Sequence, residues 1–177
     1  MVSREERKAA VIAALNKARS MELYSVHQYM NPHYHLDDKD YGELAMNMKL
    51  IAIDEMRHCE MFAERIKELD GEPTSEMDGK VAKGQGVEDV FVSDAVAEDE
   101  TIYAYNLLRK ECADNGDIIS AKLFDAVIEE EQAHKTYFEN VRDHIELLGD
   151  TYLSKIAGTS SSTGGASKGF VMNKSAD

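Results

Sequence analysis

The apolar positions fall into four long runs with helical spacing. From Ser3 to about Met30 nothing breaks the pattern, and Asn31-Pro32 then interrupts it. A second run goes from about Asp38 to Leu69, with Asp37-Asp38 as its cap and Asp70-Gly71 as its stop. A third covers about Val87 to Asp114. Asn115-Gly116-Asp117 forms a turn with a ready cap, and a fourth run continues from Asp117 to Leu148, where Gly149-Asp150 ends it. Thr151 to Ala157 reads as one more short helix. From Gly158 the chain is rich in Gly, Ser and Thr, which predicts a bundle over residues 1–157 and a flexible tail over 158–177.

Short turns inside each pair of helices, and a connection of about sixteen residues from Gly71 to Gly86 between the pairs, predict an all-α four-helix bundle. A connection of that length can run the length of the bundle, leaving the second and third helices parallel.

The seams of these helices carry chemistry. On the second, Tyr41, Leu44, Met48, Ile51, Glu55, His58 and Phe62 follow one another at alternating steps of three and four, and Leu69 lies farther along the same stripe. Two of those positions, Glu55 and His58, are not apolar. The fourth helix repeats the device: Phe124, Val127, Glu131, His134, Phe138, Val141, Ile145 and Leu148. The first helix places Glu22 among Leu15, Ala18, Ser25 and Tyr29, and the third places Glu98 among Phe91, Ala95, Ile102 and Tyr105. Glu22 and Glu98, Glu55 and Glu131, and His58 and His134 are each 76 residues apart. The chain reads as two helical hairpins of one design, each supplying Glu … Glu-x-x-His.

Four carboxylates in an apolar core need a counter-charge, because a buried unpaired carboxylate is very costly. No Lys or Arg shares the seams near the glutamates. Two divalent cations would balance four carboxylates, with neutral imidazoles completing the coordination. That donor set suits iron or manganese better than zinc or calcium.

These residues, above all Ile53-Asp54-Glu55-Met56-Arg57-His58 and Glu129-Glu130-Glu131-Gln132-Ala133-His134, resemble the ferritin-like di-iron proteins and among them the bacterioferritins. The resemblance covers about residues 5 to 157. It implies a hollow homo-oligomeric shell of 24 subunits for iron storage and detoxification, whose di-iron centres oxidise Fe(II) with dioxygen or hydrogen peroxide and whose cavity holds ferric mineral. By matching positions, Glu22, Glu55, His58, Glu98, Glu131 and His134 would hold two Fe ions per subunit, with Glu55 and Glu131 bridging. Tyr29 matches a tyrosine beside the centre that can bond a ligand carboxylate or give up an electron; core packing is its other role. Met56 would ligate a haem shared between two subunits. It lies off the metal seam with Ile53, and the first helix offers a second apolar stripe at Leu23, Val26 and Met30. A ferredoxin is the implied reductant. In some bacterioferritins an inner-surface iron site uses a histidine where this chain has Leu50.

Two further classes compete: a soluble rubrerythrin-type peroxidase or oxygenase, and a haem-bearing electron-transfer shell with a merely structural metal site. The chain has no CxxC of a rubredoxin module, and Met56 with its apolar face speaks against the first. A full set of redox-capable ligands speaks against the second. Composition adds exclusions. With 20 Lys and Arg against 34 Asp and Glu, the net charge of −14 opposes binding to nucleic acid or an anionic membrane. Two cysteines, Cys59 and Cys112, suit a reducing compartment and a cytoplasmic protein. The opening stretch shows no signal peptide, and no apolar run is long enough to span a bilayer. The remaining histidines, His27, His33, His35 and His144, read as surface or interface residues.

Overall fold

A computed structural model describes residues 3–165 and 168–174. Its helices are α1 (Arg4–Asp38), α2 (Gly42–Glu68), α3 (Val87–Asp114), α4 (Ile118–Leu148), α5 (Asp150–Ile156) and α6 (Phe170–Lys174). Among the described residues there is no β-strand, and no helix is long and apolar enough to cross a membrane.

α1 opens on a reciprocal cap: the Glu6 amide donates to Ser3 Oγ at 3.2 Å and the Ser3 amide donates to Glu6 Oε2 at 2.7 Å. The break expected at Asn31-Pro32 does not occur. Pro32 lies inside α1 and is buried. The proline deprives the Gln28 carbonyl of its usual donor, but the extra turns beyond it bury Leu36 and His33. His33 is therefore not a surface residue: its Nδ1–H donates to the Ala45 carbonyl of α2 at 2.8 Å. His27, His35 and His144 are exposed. Asp37 and Asp38 close α1 instead of opening α2, which starts after Tyr41. Asp117 caps α4 as its position predicts, accepting from the Ser120 amide at 3.0 Å.

The long connection is laid along α1. Asp70 pairs with Lys8 at 2.8 Å, the Thr74 amide donates to Asn16 at 2.7 Å, the Asp78 amide donates to the Ser20 carbonyl at 2.9 Å, and the Ala82 carbonyl accepts from Asn31 at 2.8 Å. These contacts advance together along both segments, so the connection travels from the start of α1 toward its end. It delivers α3 antiparallel to α1 and parallel to α2. The result is the four-helix bundle with one long crossover and a short fifth helix.

Two apolar clusters fill the bundle. One gathers Tyr29, Leu36, Leu44, Met48, Ile51, Phe91 and Phe138; the other gathers Val11, Leu15, Phe62, Ile66, Tyr105, Phe124 and Val127. The polar seam residues lie between them. At one bundle end Arg65 of α2 grips Asp117 with Nη2 at 2.8 and 3.0 Å and Ser120 Oγ with Nε at 2.9 Å, tying α2 to the α3–α4 turn.

The chain beyond Ala157 departs from the flexible tail that its composition predicts. The Gly158 amide donates to the Asp40 carbonyl at 2.9 Å, and Thr159 Oγ1 accepts from the Glu43 amide at 2.8 Å, capping α2 where Tyr41 supplies no side-chain cap. Gly42 permits this approach: a Cβ there would fall 1.9 Å from the Thr159 carbonyl oxygen. Farther on, Phe170 is buried in the first apolar cluster. The apolar pair Phe170-Val171 anchors a segment whose glycines and serines alone would leave it free. Residues 166–167 and 175–177 of the expected tail lie outside the described residues.

Candidate metal centre

The heptad seams turn Glu22 of α1, Glu55 and His58 of α2, Glu98 of α3, and Glu131 and His134 of α4 into one interior space. All six are 1% exposed or less. They form two overlapping sets whose donor atoms lie within 4.8 Å of one another: Glu22, Glu55, His58 and Glu131, and Glu55, Glu98, Glu131 and His134. Glu55 and Glu131 belong to both. Among the described residues, no buried Lys or Arg balances them.

The imidazoles are arranged alike. His58 Nδ1 lies 3.3 Å from Glu55 Oε2 and 3.2 Å from Glu131 Oε1. His134 Nδ1 lies 3.2 Å from Glu55 Oε1 and 3.1 Å from Glu131 Oε2. Each ring turns its other nitrogen outward: His58 Nε2 to Glu130 and His134 Nε2 to Asp54, both at 3.3 Å. A carboxylate there accepts the Nε2–H and leaves Nδ1 with a lone pair facing the centre, the orientation that metal-binding histidines need. Two carboxylate oxygens, Glu55 Oε1 and Glu131 Oε1, are buried without a hydrogen bond. Orphaned acceptors, an acidic excess and inward lone pairs together fit a pair of divalent cations.

The electrostatics divide the carboxylates by role. Burial, then the charges of Glu55 and Glu131, raise the Glu22 carboxyl well above its ordinary range. Burial with the charges of Glu131 and Glu55 does the same to Glu98. Burial also opposes ionisation of Glu55 and Glu131, but without metal the protons that the two imidazoles, and for Glu55 also Glu22, turn toward them outweigh it and hold both carboxylates ionised; a cation would take the place of those protons and meet the Nδ1 lone pairs. Tyrosines fasten the outer pair. Tyr29 Oη donates to Glu98 Oε1 at 2.6 Å, and Tyr105 Oη donates to Glu22 Oε1. Burial and those neighbouring charges push both phenols up, so each stays a donor. Phe138 packs on Tyr29 and Phe62 packs on Tyr105, closing both ends against water.

The structure thus brings Tyr29 to the centre as a hydrogen-bond donor. Three residues beside it were not singled out in the sequence for a role there: Tyr105, Asp54 and Glu130. Each follows the repeat, since Tyr29 and Tyr105, and Asp54 and Glu130, are again 76 residues apart. Met56 stands away from the centre and is 56% exposed, with Ile53 partly buried nearby on the same helix. Leu50 is buried in the first apolar cluster. Asp94, one turn before Glu98, is buried; Gln28 donates to its Oδ1 at 3.3 Å while Oδ2 has no hydrogen bond. Burial, only partly offset by bonds to Gln28 and Ser93, pushes its carboxyl up to about 7.

Comparison with known proteins agrees with this geometry. The ferritin-like domain family matches residues 12–148. The bacterioferritin of Desulfovibrio desulfuricans is 67% identical over 169 residues, covering 96% of this chain and 94% of that protein. The bacterioferritin of Streptomyces coelicolor is 35% identical over 147 residues, covering 82% and 88%. A crystal structure of Desulfovibrio desulfuricans bacterioferritin, described by its diiron site in different catalytic states, superposes with a TM-score of 0.93 over 96% of this chain and 99% of that one, at 66% identity. Mycobacterium tuberculosis bacterioferritin BfrA gives 0.79 at 28% identity, over 83% and 93%. By sequence, by fold and by the overlapping sets of donors on its core seams, the chain belongs to the bacterioferritins.

Proposed function

We propose that the protein stores iron and that Glu22, Glu55, His58, Glu98, Glu131 and His134 hold two iron ions per subunit, at which Fe(II) is oxidised. The observation that carries this reading is the pair of overlapping donor sets sharing Glu55 and Glu131. Iron is both substrate and cargo. Two Fe(II) ions supply the two electrons that dioxygen or hydrogen peroxide takes up, and the ferric product becomes mineral.

The chain's part is binding and orientation. Glu55 and Glu131, held ionised, face both positions, while Glu22 and Glu98 each serve one. The outward bonds of Nε2–H to Glu130 and Asp54 fix the imidazoles. Tyr29 and Tyr105 keep the outer glutamates in place before and after the metal arrives. The aromatic clusters on both sides keep the site dry, which strengthens every charge interaction within it. Fe(II) added to metal-free protein in air tests the oxidation. Native protein is expected to form ferric species at least ~100-fold faster than Glu55→Ala or Glu131→Ala; equal rates would refute the assignment.

The same reading extends to assembly. The chain forms a homo-oligomeric shell, for which the family implies 24 subunits. Met56 presents its thioether at the surface of α2, with Ile53 on the same helix and Leu23, Val26 and Met30 on α1 each only partly buried. One chain offers one such sulfur there, so Met56 of two copies related by two-fold symmetry would hold a shared haem. A bound haem would supply a path for electrons toward the stored iron, with a ferredoxin as the proposed donor. Met56→Leu should abolish the bis-methionine absorption spectrum while the shell still forms. Two buried, unpaired cysteines support a cytoplasmic location.

A further inference from the structure

The two metal positions are not equally supported from outside. The carboxylate behind His58 is Glu130, whose side chain is 21% exposed. The carboxylate behind His134 is Asp54, which is wholly buried. Asp54 sits next to a metal-seam residue on α2, about 100° around the helix from it. The end of the chain is what covers it.

That cover is specific. Asp54 Oδ1 accepts from Arg57 Nη1 at 2.8 Å. Asp54 Oδ2 accepts from the Val171 amide at 2.9 Å and from His134 Nε2 at 3.3 Å. Phe170 is 3% exposed, stands edge-on to the His134 ring at 6.1 Å between centroids, and packs on Tyr137 at 5.0 Å. Gly169 is pressed against the carboxylate so closely that a Cβ there would fall 1.7 Å from Asp54 Oδ1. Asp54 cannot swing aside, because three donors hold it.

We infer that residues 169–171 are positioning residues for one metal position: the chain end fixes Asp54, Asp54 fixes the His134 ring, and the Glu98/His134 position is thereby tightened independently of the Glu22/His58 position. This rests on the metal-centre reading. It assigns to the C-terminal segment a role that neither its Gly/Ser-rich composition nor the six ligands suggest. Other elements also bound this environment: Arg57 of α2 lies 3.6 Å from Glu130 as well as bonding Asp54, so it touches both sides, whereas the chain end touches one.

The test is Co(II) titration of the metal-free assembled protein, read by the visible absorption of the bound ion. Native protein should take two Co(II) per chain. Removal of residues 166–177 leaves Thr159 and its cap of α2 in place. In a Glu22→Ala background, where the His134 position remains, this removal should weaken Co(II) binding ~10–100-fold, the usual effect of losing an outer partner of a ligand. In a Glu98→Ala background, where the His58 position remains, it should change nothing. Full-length Gly169→Ala should reproduce the same selective loss, and it decides the matter if the shortened chain does not assemble. Equal weakening at both positions, or none, would overturn the inference while leaving the metal centre intact. Native protein that fails to bind two Co(II) would instead overturn the metal-centre reading itself.

Discussion

The two hairpins, α1–α2 and α3–α4, are alike inside and unlike outside. Facing the centre, every element of one has a counterpart 76 residues on in the other: glutamate for glutamate, histidine for histidine, Tyr29 for Tyr105 and Phe62 for Phe138. One shell further out the match loosens. Asp54 is buried beneath the chain end, while Glu130 faces partly to solvent. Arg57 corresponds to Ala133, and Asp94 corresponds to Ala18. The turns differ too: Asp117 and Arg65 close the α3–α4 turn, whereas Thr159 caps the start of α2. Paired cations impose like demands on both halves of the donor set. The outer shell answers only to its local surroundings, and there each half has its own solution.

Breaking one half at a time tests that division. Glu22→Ala and Glu98→Ala should each lower the metal content from two ions per chain to one, in equal measure, as counted by elemental analysis of loaded protein. A difference between them would mean the inner shell is less symmetric than its distances. Next come the outer carboxylates. Asp54→Asn should weaken metal binding ~10–100-fold, and Glu130→Gln should weaken it less, because solvent can substitute for a partly exposed acceptor. Titration of metal-free protein with Co(II) measures both.

Stability separates the turns. Asp117→Ala removes a helix cap and strips Arg65 of its main partner, with an expected loss of about 2 kcal/mol. Burial raises the Asp117 carboxyl, but the Ser120 amide and Arg65 hold it net below its ordinary 3.8. Its contribution is therefore present above about pH 4 and fades as the pH falls through the depressed folded value. Thr159→Ala should cost about 1 kcal/mol, since one cap bond is lost without an orphaned charge. Thermal midpoints at pH 7 and pH 2.5 check both. The smallest effect expected is at Asp94. Its folded carboxyl is raised to about 7 from 3.8, so the native state loses stability as pH rises from about 4 to about 7 and stays at that lower level above. Asp94→Asn should recover about 1 kcal/mol at pH 8, with the amide's unbonded hydrogens offsetting the rest of the gain, and should destabilise at pH 4, where the carboxyl is already neutral and only that cost remains.

Most of the inner shell was legible from the chain because a heptad seam tolerates so few polar residues. Glu or His on such a seam, twice over and at one offset, has little explanation besides metal. Asp54 and Glu130 were hidden for the opposite reason. They flank the seam, where acids normally face water, and only the shared offset of 76 marks them. Pro32 misled because its local cost is plain in the sequence while the burial of His33 and Leu36 beyond it is tertiary. The chain end misled because composition averages over residues: two apolar side chains, Phe170 and Val171, outweigh the glycines and serines before them.

The central claim is that one pair of glutamates serves two metal positions. A crystal structure of the iron-loaded protein, with data collected at the iron edge, tests it most directly. Two iron peaks per chain are expected, with Glu55 and Glu131 each touching both, Glu22 and His58 touching one, and Glu98 and His134 the other. A single peak, or two peaks that share neither Glu55 nor Glu131, would contradict the account.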